Sequence, residues 1–163
     1  MSEIVFRPIR LEEIASAKRL ILSVAHGIYQ WPETLEETIR RFEAEGELRD
    51  VDEALTHYAP PAGIFLVALD AGRLIGTGAV RPFAPPLCEL KRLWLLEEYQ
   101  GRGLGFEMMQ RLLAFARGAG YTAMRLTTDV RQGRAVGFYR RLGFEMLDPE
   151  TDDPSDVFMH RTL

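Results

Sequence analysis

Gln100-Gly101-Arg102-Gly103-Leu104-Gly105 is the segment whose residue types and spacing hold the most chemistry. It joins a nearly continuous apolar run, Leu87 to Leu96, to a stretch whose apolar residues recur at three and four from Phe106 onward. A loop between a buried strand and the first turn of an amphipathic helix gathers unpaired backbone N–H groups at the positive end of the helix dipole. Glycines keep side chains out of that point, so phosphate oxygens can reach the amides. Arg102 adds a charged donor or is solvated at the loop tip. Two other phosphate motifs fail on residue identity. No Lys-Ser or Lys-Thr follows the glycines, which excludes a P-loop, and Phe106 stands where a dinucleotide fingerprint needs a small residue.

Upstream, the apolar phase slips by one between Leu90 and the pair Leu93 and Leu95, with Lys91 and Arg92 interposed. A β-bulge produces such a slip and frees backbone donors; a straight strand buried on both faces is the other reading, because Trp94 and Leu96 are apolar as well. Glu89 begins this strand and is the first candidate for a general base, against the reading of a polar strand end that pairs with Arg92 or water. Cys88 is the only cysteine, has no histidine near it in sequence, and reads as an inert core residue. His26 borders the apolar stripe of the first helix and His57 precedes a proline loop, so both read as structural or solvated.

Gln100, Gly103 and Gly105 also fill the acyl-CoA motif of the GNAT family: Gln or Arg, two residues, Gly, one residue, then Gly or Ala. The chain resembles that family here, upstream through Glu89-Leu90-Lys91-Arg92-Leu93-Trp94-Leu95, and downstream at Gly137-Phe138-Tyr139-Arg140-Arg141-Leu142-Gly143-Phe144. The resemblance covers the second half of the chain; Ile4 to Leu55 carries no specific motif. It implies an acetyl-CoA-dependent N-acetyltransferase. Acetyl-CoA is then the cosubstrate, held by Gln100, Gly101, Arg102, Gly103, Leu104, Gly105, Gln132 and Phe138. Backbone N–H groups near Leu93, Trp94 and Leu95 meet the acetyl carbonyl and the pantetheine arm as an oxyanion site. Gln132 stands where the family often has an asparagine, so the amide is kept but lengthened.

Glu89 occupies a position similar to a family glutamate often assigned as base, and Tyr139 the position of a tyrosine that can protonate the leaving thiolate. The activity so implied is transfer of acetyl to a primary amine by direct attack in a ternary complex, with a small-molecule or protein amine as acceptor. A domain that holds acetyl-CoA as a sensor or scaffold without transferring it is the alternative, and retention of both Glu89 and Tyr139 speaks against it. The family also forms homodimers. Glu33, Glu36, Glu37, Glu43, Glu45 and Glu47 make the second helix acidic, either a solvated face or, beside an acceptor pocket, one that favours cationic amines and repels acids.

These residues need elements to position them. Ile4, Phe6 and Ile9 with Pro8 predict an edge strand. Leu11 to Gln30 has the period of a helix, ended by Trp31-Pro32. Thr34 and Glu37 predict a capping box for a second helix that Gly46 interrupts, and a short third helix follows over Leu48 to Leu55. Ile64 to Leu69 and Leu74 to Arg81 read as a hairpin about Asp70-Ala71-Gly72-Arg73. After the central strand, the pattern gives a helix from Phe106 to Gly118, a strand over Tyr121 to Asp129, a helix over Gln132 to Leu142 and a closing strand over Val157 to Leu163. The order predicts an α/β fold, a mixed central β-sheet flanked by helices, in a single domain spanning residues 1–163.

Composition narrows the partners. With 163 residues, of which 47% are hydrophobic, the chain has the size and apolar content of one packed domain. A net charge of -4 and a pI near 5.5 offer no general field for nucleic acid or an anionic membrane. One cysteine permits no intrachain disulfide, and three scattered histidines lack metal-ligand spacing, so a cytoplasmic protein with no structural metal is expected. Neither a signal-like apolar core near Met1 nor a membrane-length apolar window is found.

Overall fold

The computed structural model describes residues 2–163. Seven strands form one mixed sheet: β1 (Ile4–Pro8), β2 (Ile64–Asp70), β3 (Arg73–Pro82), β4 (Leu87–Leu95), β5 (Ala123–Asp129), β6 (Glu145–Met146) and β7 (Asp156–Thr162). Their order is β1-β2-β3-β4-β5-β7-β6, and every pairing is antiparallel except β4 with β5. Helices α1 (Ile14–Tyr29), α2 (Leu35–Glu45), α3 (Arg49–Asp52) and α4 (Ala54–His57) gather on one face of β2 to β4. Helices α5 (Leu104–Gly118) and α6 (Gly133–Arg141) pack on the other.

Each face has its own core. Ala17, Leu20 and Ile21 of α1 meet Phe65, Val67 and Ala79, whereas Met109, Leu112 and Leu113 of α5 meet Leu66, Val80, Cys88 and Leu90. The two-residue alternation of each strand divides its side chains between these cores. As the sequence predicts, β1 is an edge strand that ends at Pro8, and β4 is central. The capping box is formed: Thr34 Oγ1 accepts from Glu37 N at 3.2 Å, and Glu37 Oε2 accepts from Thr34 N at 2.9 Å.

The departures are local. Leu11–Glu13 is a 3₁₀ turn, and α1 begins only at Ile14, because Glu13 is held by both the Arg10 N–H and the Arg7 guanidinium. The expected third helix divides at Glu53 into α3 and α4. α5 starts two residues before Phe106, since Gly103 takes a left-handed φ of 80° and turns the chain directly into the helix. β6 escapes sequence reading because two residues carry no period.

Candidate active site

Of the two readings of the phase slip in β4, the bulge is the one present. Thr77 of β3 pairs with Trp94 and Ala79 with Lys91, so Gly78 alone faces the two residues Arg92 and Leu93. Arg92 lies in the left-handed region at φ 55°, a conformation that costs a non-glycine residue roughly 1 kcal/mol or more. Two contacts hold it there. Thr77 Oγ1 donates to the Arg92 carbonyl at 2.7 Å, and the Arg92 guanidinium grips Asp50 of α3 at 2.7 and 2.9 Å. A side chain at Gly78 has no room, since its Cβ would stand 2.8 Å from Leu112 Cδ1 and 3.3 Å from Leu93 Cδ1. The bulge returns Leu93 and Leu95 to the α5 core, sends Trp94 to the α1 core, and takes backbone groups out of the ladder beside Leu93.

On the other edge of β4 the pairing stops early. Only Leu87, Cys88 and Glu89 pair with β5, at Ala123, Met124 and Arg125, although both strands continue. The strands therefore part beyond Glu89 and leave a cleft in the middle of the sheet. Thr127 of β5 is exposed despite its central strand, so the α1 face is uncovered there. Glu89 stands at the fork and is buried. Arg81 Nε and Nη2 both donate to its Oε1, at 2.9 and 2.7 Å, and Arg125 Nε lies 3.8 Å from its Oε2. The pairing of Glu89 is thus with Arg81 rather than Arg92, which is turned to Asp50.

Beyond β4 the glycine loop runs into α5. Among the described residues no backbone N–H from Gly101 through Phe106 finds an acceptor, and the first helical bond is from Glu107 N to Gly103 O at 3.0 Å. Gly101 and Gly103 both have positive φ, 78° and 80°, and nothing stands within 4 Å of where their Cβ atoms would be. Open amides and open space meet at a helix N-terminus, which fits a pyrophosphate. Gln100 Nε2 donates to the Leu95 carbonyl at 3.0 Å and ties the loop to the end of β4. Arg102 lies over the Tyr99 ring at 5.1 Å. Phe138 of α6 approaches the Gly105 Cβ position to 3.6 Å, so α6 flanks the loop.

Tyr139, next to Phe138, has a ring buried against Phe144, and burial pushes its hydroxyl well above the ordinary phenol range. Among the described residues that hydroxyl has no hydrogen-bond partner, yet it is not sealed from solvent. Gln132 is less available than expected, because its Nε2 donates to Tyr29 Oη at 2.9 Å and fastens the end of α1 to the start of α6. Cys88 is wholly buried, and burial pushes its thiol up to about 12. His26 Nε2 contacts the Glu33 carbonyl at 2.6 Å, and His57 Nε2 meets Arg81 Nη1 at 3.0 Å.

Sequence reading missed Asp50, Tyr58, Arg81, Arg125 and Lys91. Charged residues at the core-facing phase of strands were a usable signal for the last three; Asp50 and Tyr58 reach the site from a distant helical segment, which no local pattern reveals. Tyr58 Oη donates to Asp50 Oδ2 at 2.5 Å. Burial alone would raise the Asp50 carboxyl, but the Arg92 guanidinium outweighs it and holds the group at about 2, against an ordinary 3.8. A lowered folded-state value stabilises the fold above the unfolded value, and that contribution is lost as pH falls through the folded one. Denaturant unfolding should therefore show a loss in wild type between about pH 4 and 2. The variant Asp50→Asn should lose this step and be less stable by about 3 kcal/mol at neutral pH, because the partly buried Arg92 is left without its partner.

The profile of the acetyltransferase (GNAT) family matches residues 27–144. An uncharacterised N-acetyltransferase of Schizosaccharomyces pombe is 33% identical over 126 residues, covering 74% of this chain and 77% of that one. N-acetyltransferase family 8 member 3 of Mus musculus is 31% identical over 99 residues, 58% of this chain and 44% of that longer protein. The crystal structure of the PaiA N-acetyltransferase from Thermoplasma acidophilum in complex with coenzyme A superposes with a TM-score of 0.81, at 22% identity, over 99% of both chains. Among the described residues no helix is long and apolar enough to cross a membrane. By the span of the family match and the shared fold, the chain belongs to the GNAT family of acetyl-CoA-dependent N-acetyltransferases.

Proposed function

We propose that this chain transfers acetyl from acetyl-CoA to a primary amine by direct attack in a ternary complex, with Glu89 as general base and Tyr139 as general acid. The observation that carries direct transfer is Cys88: the one thiol is sealed in the core and held protonated, so it offers no acyl-accepting nucleophile. The free amides of Gly101 to Phe106 hold the pyrophosphate, and the bulge beside Leu93 presents backbone donors to the acetyl oxygen. Initial rates with both substrates varied should give intersecting lines. Parallel lines, the pattern of a covalent acyl-enzyme, would contradict the reading.

An alkylammonium near pKa 10 must lose a proton before it can attack. Both Arg81 bonds fall on Glu89 Oε1, which leaves Oε2 as the oxygen open to a proton, directly or through water. Glu89→Gln keeps an acceptor oxygen for Arg81 and removes the base. We expect its kcat to fall about tenfold or more at neutral pH and to recover part of that at higher pH, where more amine is already neutral. A loss equal at every pH would make Glu89 a partner of Arg81 only. The same reading places the chain in the cytoplasm, in keeping with its single, buried, unpaired cysteine.

A further inference from the structure

The α1 face of the cleft holds four cations and three carboxylates. Arg81 is paired with Glu89, Arg92 with Asp50, and Arg125 with Glu150. The fourth cation is Lys91, two residues beyond Glu89 on the same face of β4, at the first such position past the last β4–β5 pair. It is partly buried, and among the described residues no carboxylate lies within 4 Å of its ammonium.

Lys18, the chain's other lysine, shows what this fold does with a lysine of its own. Its side chain is 12% exposed and carries two carboxylates, Asp52 at 2.7 Å and Glu43 at 3.2 Å. Burial would lower Lys18, but those partners raise it above the ordinary lysine value; Lys91 is lowered, chiefly by burial. Glu89 and Asp50 are near enough to act on Lys91 through space, but each is in contact with an arginine instead. A partly buried ammonium with no carboxylate in contact is costly, and a ligand anion lowers that cost. The acidic second helix does not supply it. Glu33 and Glu45 are turned to Arg41, Glu36 to Arg19 and Glu43 to Lys18, so most of its carboxylates are spent on its own packing.

Resting on the transfer reading above, we propose that Lys91 binds a carboxylate of the acceptor, so that the amine acetylated is an amino acid or a close relative with the acid group near the amine. Reach fits this. Lys91 stands two residues, about 7 Å along the strand, from the bulge at Leu93, within the span of a lysine side chain plus a short acceptor. The pyrophosphate is not the anion in question, because the free amides begin at Gly101, beyond the far end of β4. The site selects against simple alkylamines, opposite to the preference an acidic second helix would give.

The test uses products, so that it does not depend on turnover. Calorimetry on the CoA-loaded protein would compare N-acetylglycine, N-acetyl-L-leucine and N-acetyl-L-phenylalanine with their carboxamides. At least one acid should bind about tenfold or more tighter than its amide, the scale of a charge-assisted contact. Lys91→Met should bring acid and amide within about twofold, Lys91→Arg should keep most of the preference, and both should bind acetyl-CoA as wild type does. Acids that bind no better than amides, a preference that survives Lys91→Met, or a loss of acetyl-CoA affinity in that variant would each overturn the proposal. Failure to acetylate any amine while the acid preference stands would count against the transfer reading alone.

Discussion

Gly105→Glu should leave a folded protein whose affinity for acetyl-CoA is at least a hundredfold weaker. Gly105 has an ordinary helical backbone, and an added Cβ meets only the Phe138 ring at 3.6 Å, an ordinary van der Waals contact. A carboxylate in the first turn of α5 then faces the free amides of Gly101 to Phe106 and the positive helix end. Both favour the anion, so the substitution stabilises the unliganded chain while it occupies and charges the place of the pyrophosphate. Calorimetry and thermal melts separate the two effects: the midpoint should match or exceed wild type, and binding should be lost. Gly105→Ala, with the same Cβ and no charge, should bind within a few-fold of wild type. Wild-type affinity in folded Gly105→Glu would remove the phosphates from this loop.

Tyr139→Phe should lower kcat by roughly a hundredfold and leave acetyl-CoA affinity within about twofold. The ring packs against Phe138 and Phe144, whereas the hydroxyl has no partner among the described residues, so its removal breaks no bond seen there and the fold should be as stable. Burial keeps the hydroxyl protonated through the neutral range. It is then a weaker acid than an alkyl thiol of pKa about 8.5, so full proton transfer to the sulfur stays uphill even once the C–S bond is broken, and solvent takes the thiolate's charge. Its worth lies in a hydrogen bond that strengthens as charge grows on sulfur, and that places the effect at the low end of the range for a positioned acid. A change confined to affinity would make Tyr139 a binding residue, and an unchanged kcat where chemistry limits turnover would leave water to protonate the thiolate.

The parts of this site that are local in sequence were legible in it. The strand, glycine loop and helix follow one another directly between Leu87 and Gly118, and the slip in apolar phase at Lys91-Arg92 became a bulge because Gly78 opposite lacks a side chain and Leu93 must still reach the α5 core. Cys88 and His26 took the structural roles expected of them. What stayed hidden depends on tertiary approach. Asp50 finds Arg92 over forty-two residues, Gln132 finds Tyr29 over a hundred and three, and Glu89 chooses Arg81 because they are register partners, a relation fixed only when the β3–β4 turn is known. The cleft itself is legible only as an absence of pairing between β4 and β5, which no residue type announces.

The central claim, direct passage of acetyl from acetyl-CoA to an amine, is tested most closely by following the label itself. The protein would be mixed with carbon-13 acetyl-CoA and a set of primary amines that includes free amino acids, and sampled by mass spectrometry from the first turnover onward. The account predicts that the label appears as an N-acetyl group on an amine, in step with release of free thiol, while the protein mass stays that of the unmodified chain at every time point. Labelled protein that forms before product and decays as product appears would contradict it, as would bound acetyl-CoA that gives up its label to no amine.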